Sequence, residues 1–230
     1  MGFMESSPAS AGFNAYENEY CFQPFHVYEG SSGKRITAIL RPGKTPTVGE
    51  IMAVLKRIVK RLKEAWPETK FLFRGDSHFE KPDVLDWLEA QGLFYLIGLA
   101  RNSVLLKRSE VTLAQAKEAS EGHGNKVRQY ASFFYAAKTW SRPRRVILRA
   151  EASCLGVDPR YVVTNVGATP KVDYEKLYCS RGCVELMIKE HKRALHSDRT
   201  SCHKLESRET RDCSSTAPPT SSCTRSAAPC

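Results

Sequence analysis

The sequence predicts an α/β protein in which two strands, a helix and a β-α-β unit precede a strand-rich stretch and a last helix. Three observations carry this. The segment from Val48 to Trp66 repeats apolar residues at helical spacing. Next, the apolar run Phe71, Leu72, Phe73 leads through Asp76 into a second helical pattern and then the apolar run "FYLIGLA" at 94–100, the order of a β-α-β unit. Finally, strand-like runs recur at 128–137, 145–151 and 161–166 between basic turns.

Taken in order, residues 20–29, "YCFQPFHVYE", alternate in part and are rich in aromatics. Residues 36–41, "ITAILR", follow the turn "GSSGK", so the pair reads as an antiparallel hairpin. In the first helix Val48, Ile51, Met52, Leu55, Ile58, Val59, Leu62 and Trp66 share one stripe, with Lys56, Arg57, Lys60, Arg61 and Lys63 mostly elsewhere. Such a basic face is more often solvated than bound to phosphate. Phe71, Leu72 and Phe73 suit a strand buried on both faces. Ser77 is placed to cap the helix that follows, which carries Val84, Leu85, Leu88 and Leu93, with Pro82 in its first turn and Gly92 near its end. Residues 103–172 read as a mainly-β insertion opened by a short helix near 112–120, and helical periodicity returns from Val172 to about His196. From Ser207 to Cys230 no Val, Ile, Leu, Met or aromatic residue occurs, so this tail is expected to be disordered.

The 230 residues, 41% of them apolar, suffice for one sizeable domain or one domain with an insertion. A formal net charge of +10 favours an anionic partner, nucleic acid first. No apolar run approaches eighteen residues, and the start "MGFMESSPAS" has neither a basic region nor an apolar core. A cytoplasmic protein with no membrane partner is expected. Eight scattered cysteines without an export signal read as reduced thiols. Cys179, Cys183, His191 and His196 loosely resemble a zinc finger, but seven residues separate the second Cys from the first His, where the finger pattern has about twelve.

Two constellations carry chemistry. In "KFLFRGDSHFEKP", Arg74-Gly75-Asp76 would be an adhesion tripeptide on an exposed loop, whereas a carboxylate where a strand ends is a candidate metal ligand. A residue that merely caps or turns the chain is the plainer alternative. In "YCSRGCVELMIKEHK", Tyr178, Arg181, Glu185 and Lys192 stand at offsets of 0, 3, 7 and 14, within a sector of roughly 60° on an ideal helix. Taken alone, such a face is more often a solvated one with charge pairs.

That Tyr-Arg-Glu-Lys spacing resembles the signature helix of bacterial insertion-sequence transposases of the DDE class. The stretches "YCFQPFHVYEG", "LRPGKTP", "FRGDSHF", "YLIGLARN", "RYVVTN" and "SRGCVELMIKEHKRALHSDRTSC", in this order over about residues 11–206, narrow the resemblance to DDE transposase group 1. It implies an RNase H-like core, a mixed sheet with helices, interrupted by a mainly-β insertion before the last catalytic helix. The chain then divides into an unrelated or disordered start (1–10), the first part of the core (11–102), the insertion (103–172), the final catalytic helix region (173–206) and the tail (207–230). The resemblance further implies two divalent ions, Mg2+ or Mn2+, held by three carboxylates that cleave and transfer DNA strands. Asp76 would be the second carboxylate and Glu185 the third, both catalytic and metal ligands. Tyr178, Arg181 and Lys192 would bind DNA at transposon ends, with a homodimer in the DNA complex a further expectation.

The sequence departs from the family at both ends. The first carboxylate should be an Asp on a strand before "YCFQPFHVYEG", yet Asp76 is the first Asp of the chain, and only Glu5, Glu17 and Glu19 precede that strand. A truncated transposase, missing its first strand and inactive, is therefore expected, with a frameshift near Glu206 to account for the tail. A non-catalytic nucleic-acid-binding protein using the same basic helix is the alternative.

Overall fold

The computed structural model describes residues 12–14 and 19–195, in two compact units drawn from Met1–Lys44 with Val184–Cys230 and from Thr45–Cys183. The expected start at 1–10 and tail at 207–230 lie outside the described residues.

In the first unit β1 (Gly12–Asn14) pairs with β2 (Glu19–Cys21) and β3 (Phe25–Tyr28) with β4 (Arg35–Ile39), all antiparallel. The strand expected over 20–29 is thus two strands. Pro24 lies between them and has no amide hydrogen to give a ladder. At the expected turn the Glu29 carboxylate accepts from the Ser31 and Ser32 amides, and Gly33 takes φ +69°.

The second unit opens with α1 (Val48–Ala65), begun by a capping box in which Thr47 and Glu50 exchange side-chain and backbone bonds. Its buried stripe is Ile51, Leu55 and Val59, whereas Trp66, expected on that stripe, lies beyond the last turn and is exposed. Then β5 (Leu72–Gly75), α2 (Pro82–Ala90) and β6 (Phe94–Leu99) form the predicted β-α-β unit, with β5 and β6 parallel and Pro82 in the first turn of α2. Leu88, Val84 and Leu85 are fully buried on α2.

Segment 103–172 differs from its expected form. A 21-residue helix, α3 (Ser103–His123), replaces the short one at 112–120, because Asn102 caps it from the Leu105 amide and Leu105 and Ser109 already sit in the core. The following strands β7 (Val127–Tyr135), β8 (Arg144–Ser153) and β9 (Gly156–Thr164) match the predicted runs. They do not stand apart as a sheet of their own: β9 pairs with β6, giving one mixed five-stranded sheet ordered β5-β6-β9-β8-β7. Among the described residues β5, expected to be buried on both faces, is an edge strand of this sheet, with Leu72 exposed. An apolar run cannot tell an interior strand from an edge one covered on its faces.

Strand alternation sorts the sheet into two faces. Tyr95 bonds to Glu89 of α2, and Tyr161 bonds to Ser109 of α3, so this face is covered by α2 and α3. Leu96, Ile147 and Val162 form the opposite face, and Tyr174 packs on them. Tyr174 belongs to the predicted C-terminal helical run, which begins with α4 (Pro170–Val172), widens into a π-helical turn (Asp173–Tyr178) and tightens into a 3-10 turn (Cys179–Arg181) before α5 (Gly182–Leu195). Fully buried Asp173 accepts from Arg145 at 2.7 Å, and the same guanidinium donates to the Val166 and Ala168 carbonyls, fixing where the run starts.

A second charged cluster clamps α2 to β8. Buried Arg144 donates to Glu89 and Asp86, Tyr95 and Arg142 also donate to Glu89, and Trp140 lies 5.3 Å from the Arg144 guanidinium. Burial alone would raise the Glu89 carboxyl, but these donors outweigh it and hold it at about 2.

Candidate active site

Asp76 follows the last residue of β5, at the carboxyl end of the parallel pair. It caps the 3-10 turn Ser77–Phe79: its Oδ1 accepts from the His78 amide at 3.0 Å, and His78 Nδ1 lies 3.2 Å from the same oxygen. The cap is therefore Asp76 and not Ser77 as expected, and the helix α2 starts at Pro82 without a side-chain cap. The Asp76 side chain stays 46% exposed. It thus combines the capping role with an open oxygen, Oδ2, which makes no hydrogen bond among the described residues.

The Arg-Gly-Asp tripeptide is not an open loop. Gly75 is buried, and a Cβ there would lie 3.0 Å from Phe79 and 3.1 Å from Phe73, whose rings meet edge to face. Arg74 points to the face covered by the C-terminal run, where its Nη1 donates to the Leu177 carbonyl at 3.1 Å and to Ser180 Oγ. Ser180 Oγ itself donates to the Leu177 carbonyl. Where the π-turn meets the 3-10 turn the regular helical ladder is interrupted, and Arg74 supplies a donor to the carbonyl freed there.

The clamp sets the next side chains. An ideal helix is interrupted here, but residues three apart eclipse in a 3-10 turn, so Tyr178 and Arg181 come to the same side. The Arg181 guanidinium lies 5.5 Å from the Tyr178 ring centre. Tyr178 presses on β6 at Gly98: a Cβ on Gly98 would lie 2.7 Å from the Tyr178 hydroxyl and 3.3 Å from the Ser77 amide nitrogen. Burial pushes the Tyr178 phenol up, Arg181 pulls it back, and the Asp76 carboxylate adds to the rise. Asp76, Tyr178 and Arg181 thus share one electrostatic neighbourhood.

Glu185 and Lys192 belong to the other unit. They lie seven residues, two turns, apart on α5, with Glu185 exposed in its first turn and the Lys192 side chain outside the described residues. Sequence reading missed Arg74 as a positioning group and Gly98 as the space for Tyr178. The first was hidden in an adhesion-like tripeptide, and the second had no local signal beyond a glycine within an apolar strand.

Arg74→Ala is expected to speed amide exchange across residues 177–181 and to cost about 1.5–3 kcal/mol, the usual worth of hydrogen bonds from a charged donor. Unchanged exchange there, read by mass spectrometry, would remove the clamp from the account.

A carboxylate, a phenol and a guanidinium thus stand near the carboxyl ends of parallel strands, in a mixed α/β sheet of a strongly basic chain, and a guanidinium in such a place is chemically able to meet phosphate groups. The chain belongs to the transposase DDE domain group 1 family, whose model matches residues 6–213. No curated protein matches it. The family acts on DNA and generally uses a divalent metal. Asp76, a half-exposed carboxylate with one oxygen outside its hydrogen bond, is chemically the kind of hard oxygen donor that such an ion takes. Among the described residues no group of three His, Cys, Asp or Glu side chains gathers to hold an ion, and no helix is long and apolar enough to cross a membrane.

Proposed function

We propose that the chain derives from an insertion-sequence transposase with an RNase H-like core and engages transposon-end DNA through Tyr178, Arg181 and Lys192, with Asp76 and Glu185 as its metal-binding carboxylates. The observation that supports this best is that the Tyr178 hydroxyl and the Asp76 backbone both border Gly98 at the carboxyl end of the parallel pair, with the Arg181 guanidinium 5.5 Å from the Tyr178 ring centre. Arg181 offers a planar fork for two phosphate oxygens, and Tyr178, stacked under it, limits the directions it can point. Asp76, already fixed by its bond to the His78 amide, keeps its second carboxylate oxygen available to hold a cation. A divalent ion bound there would stabilise charge on the phosphate oxygens and activate the attacking hydroxyl or water.

Asp76 and Glu185 are the carboxylates this reading assigns to the metal site. A non-catalytic DNA-binding protein is the rival reading, and magnesium-dependent cleavage separates the two.

The test pairs anisotropy on labelled duplex DNA with a manganese titration. Arg181→Ala should weaken DNA binding about tenfold, near 1.4 kcal/mol, whereas Asp76→Asn should leave DNA affinity in place and lower metal affinity. Metal binding that is indifferent to Asp76→Asn would sink the ligand assignment. Nicking of DNA by the wild type in magnesium, lost in Asp76→Asn, would reject the non-catalytic reading.

A further inference from the structure

A groove of about 450 Å³ runs between α1 and α2, lined by Lys56, Lys60 and Lys63 on one wall and by Trp87 and Gln91 on the other, with Val59 beneath. The three lysines stand at i, i+4 and i+7, so they form one row along α1. Glu64, also lining the groove, reaches Lys60 only at 3.9 Å, and both side chains are more than 60% exposed, so this pair neutralises little. Lys63 is held in place: its ammonium donates to the Gln91 carbonyl at 2.8 Å and to the Gln91 side-chain oxygen at 3.2 Å. That bond also satisfies a carbonyl at the C-terminal end of α2, so it is Lys56 and Lys60 that are left facing solvent for a ligand. Here five bases fall between positions 56 and 63 with no acid among them.

The groove is separate from the candidate active site. β5 and β6 are parallel, and α2 connects the carboxyl end of the first to the amino end of the second. Gln91, just past α2, therefore lies toward the amino ends of the strands, whereas Asp76 lies at the carboxyl end. A row of three lysines, one of them fixed and two exposed, beside Trp87 suits a polyanion with regularly repeated charges, and a phosphodiester backbone is that polyanion.

We propose that the α1–α2 groove is a second DNA-backbone site, in which Lys56 and Lys60 contact phosphates of duplex DNA beside the fixed Lys63. This rests on the reading of the protein as DNA-binding, and it adds a place where DNA is held at a distance from Asp76. Because the contacts are to phosphates, they add affinity without sequence preference.

The experiment is a salt titration of duplex binding by the full chain, comparing wild type, Lys56→Gln/Lys60→Gln, Lys56→Arg/Lys60→Arg and Arg181→Ala. Both lysines are exposed, so neither substitution empties core space. Because the Gln pair neutralises two fewer phosphates, its slope of log affinity against log salt should become shallower by about 1.8, with about tenfold weaker binding at moderate salt. The Arg pair should keep the wild-type slope. Should the Gln pair keep that slope while Arg181→Ala weakens binding, the groove is overturned and the DNA-binding reading stands. Salt-insensitive or absent binding by the wild type would overturn both.

Discussion

Arg144→Ala is expected to destabilise the chain by about 3–5 kcal/mol and to lower its unfolding temperature by about 10 °C. The side chain of Arg144 is 2% exposed and that of Glu89 10%, so removing the guanidinium leaves a buried carboxylate whose strongest donor is gone. Arg142 and Tyr95 would remain on Glu89, but Arg142 is largely exposed and compensates weakly. Acid should reveal the same pair. Glu89 sits at about 2 in the folded chain, below its ordinary 4.5, so its contribution is whole above that ordinary value and fades as pH falls toward 2. The gap between wild type and variant should therefore narrow on acidification through this window. Thermal unfolding followed by circular dichroism at pH 7 and pH 3 checks both statements, and an equal gap at the two pH values would mean that the charge pair is not the source of the loss.

Gly98→Val should disable the candidate active site with a smaller cost to the fold. A single Cβ at this position already meets the Tyr178 hydroxyl at 2.7 Å and the Ser77 amide nitrogen at 3.3 Å, and valine adds two methyl groups to that contact. The ring must leave, and it takes with it the surface on which Arg181 lies. Overpacking of this kind costs about 1–3 kcal/mol. DNA affinity is expected to fall at least as far as in Arg181→Ala, because the guanidinium loses its orientation. Room can be restored: in a Gly98→Ala/Tyr178→Ala pair the stability losses should be smaller than the sum of the single losses. Simple additivity would show that Gly98 and Tyr178 do not meet as described.

Local patterns announced the elements well where one face of a helix or strand met the core. Ile51, Leu55 and Val59 on α1, and Val84, Leu85 and Leu88 on α2, stand buried at the spacing that predicted both helices. The β-α-β unit and the β3–β4 hairpin were equally plain, because chain direction and short turns leave few pairings open, whereas the β1–β2 pair was not foreseen. The helix α3 was underestimated because its apolar residues are sparse and its exposed face includes Val104, Leu106 and Val111, which blur the period. The membership of β7, β8 and β9 in the same sheet as β5 was invisible, since strand pairing between Leu96–Leu99 and Tyr161–Thr164 joins segments more than sixty residues apart.

For the site, the sequence by itself determined the residue types and their order: a carboxylate where β5 ends, a tyrosine and an arginine three residues apart, and an excess of positive charge. The tertiary structure alone decided that Asp76 caps its own turn, that Arg74 reaches across to residues 177–180, and that Gly98 yields the space Tyr178 fills. The division has a physical cause. Capping signals and periodicity arise from neighbours along the chain, whereas a clamp or a vacancy is created by side chains that meet only after strand and helix have packed.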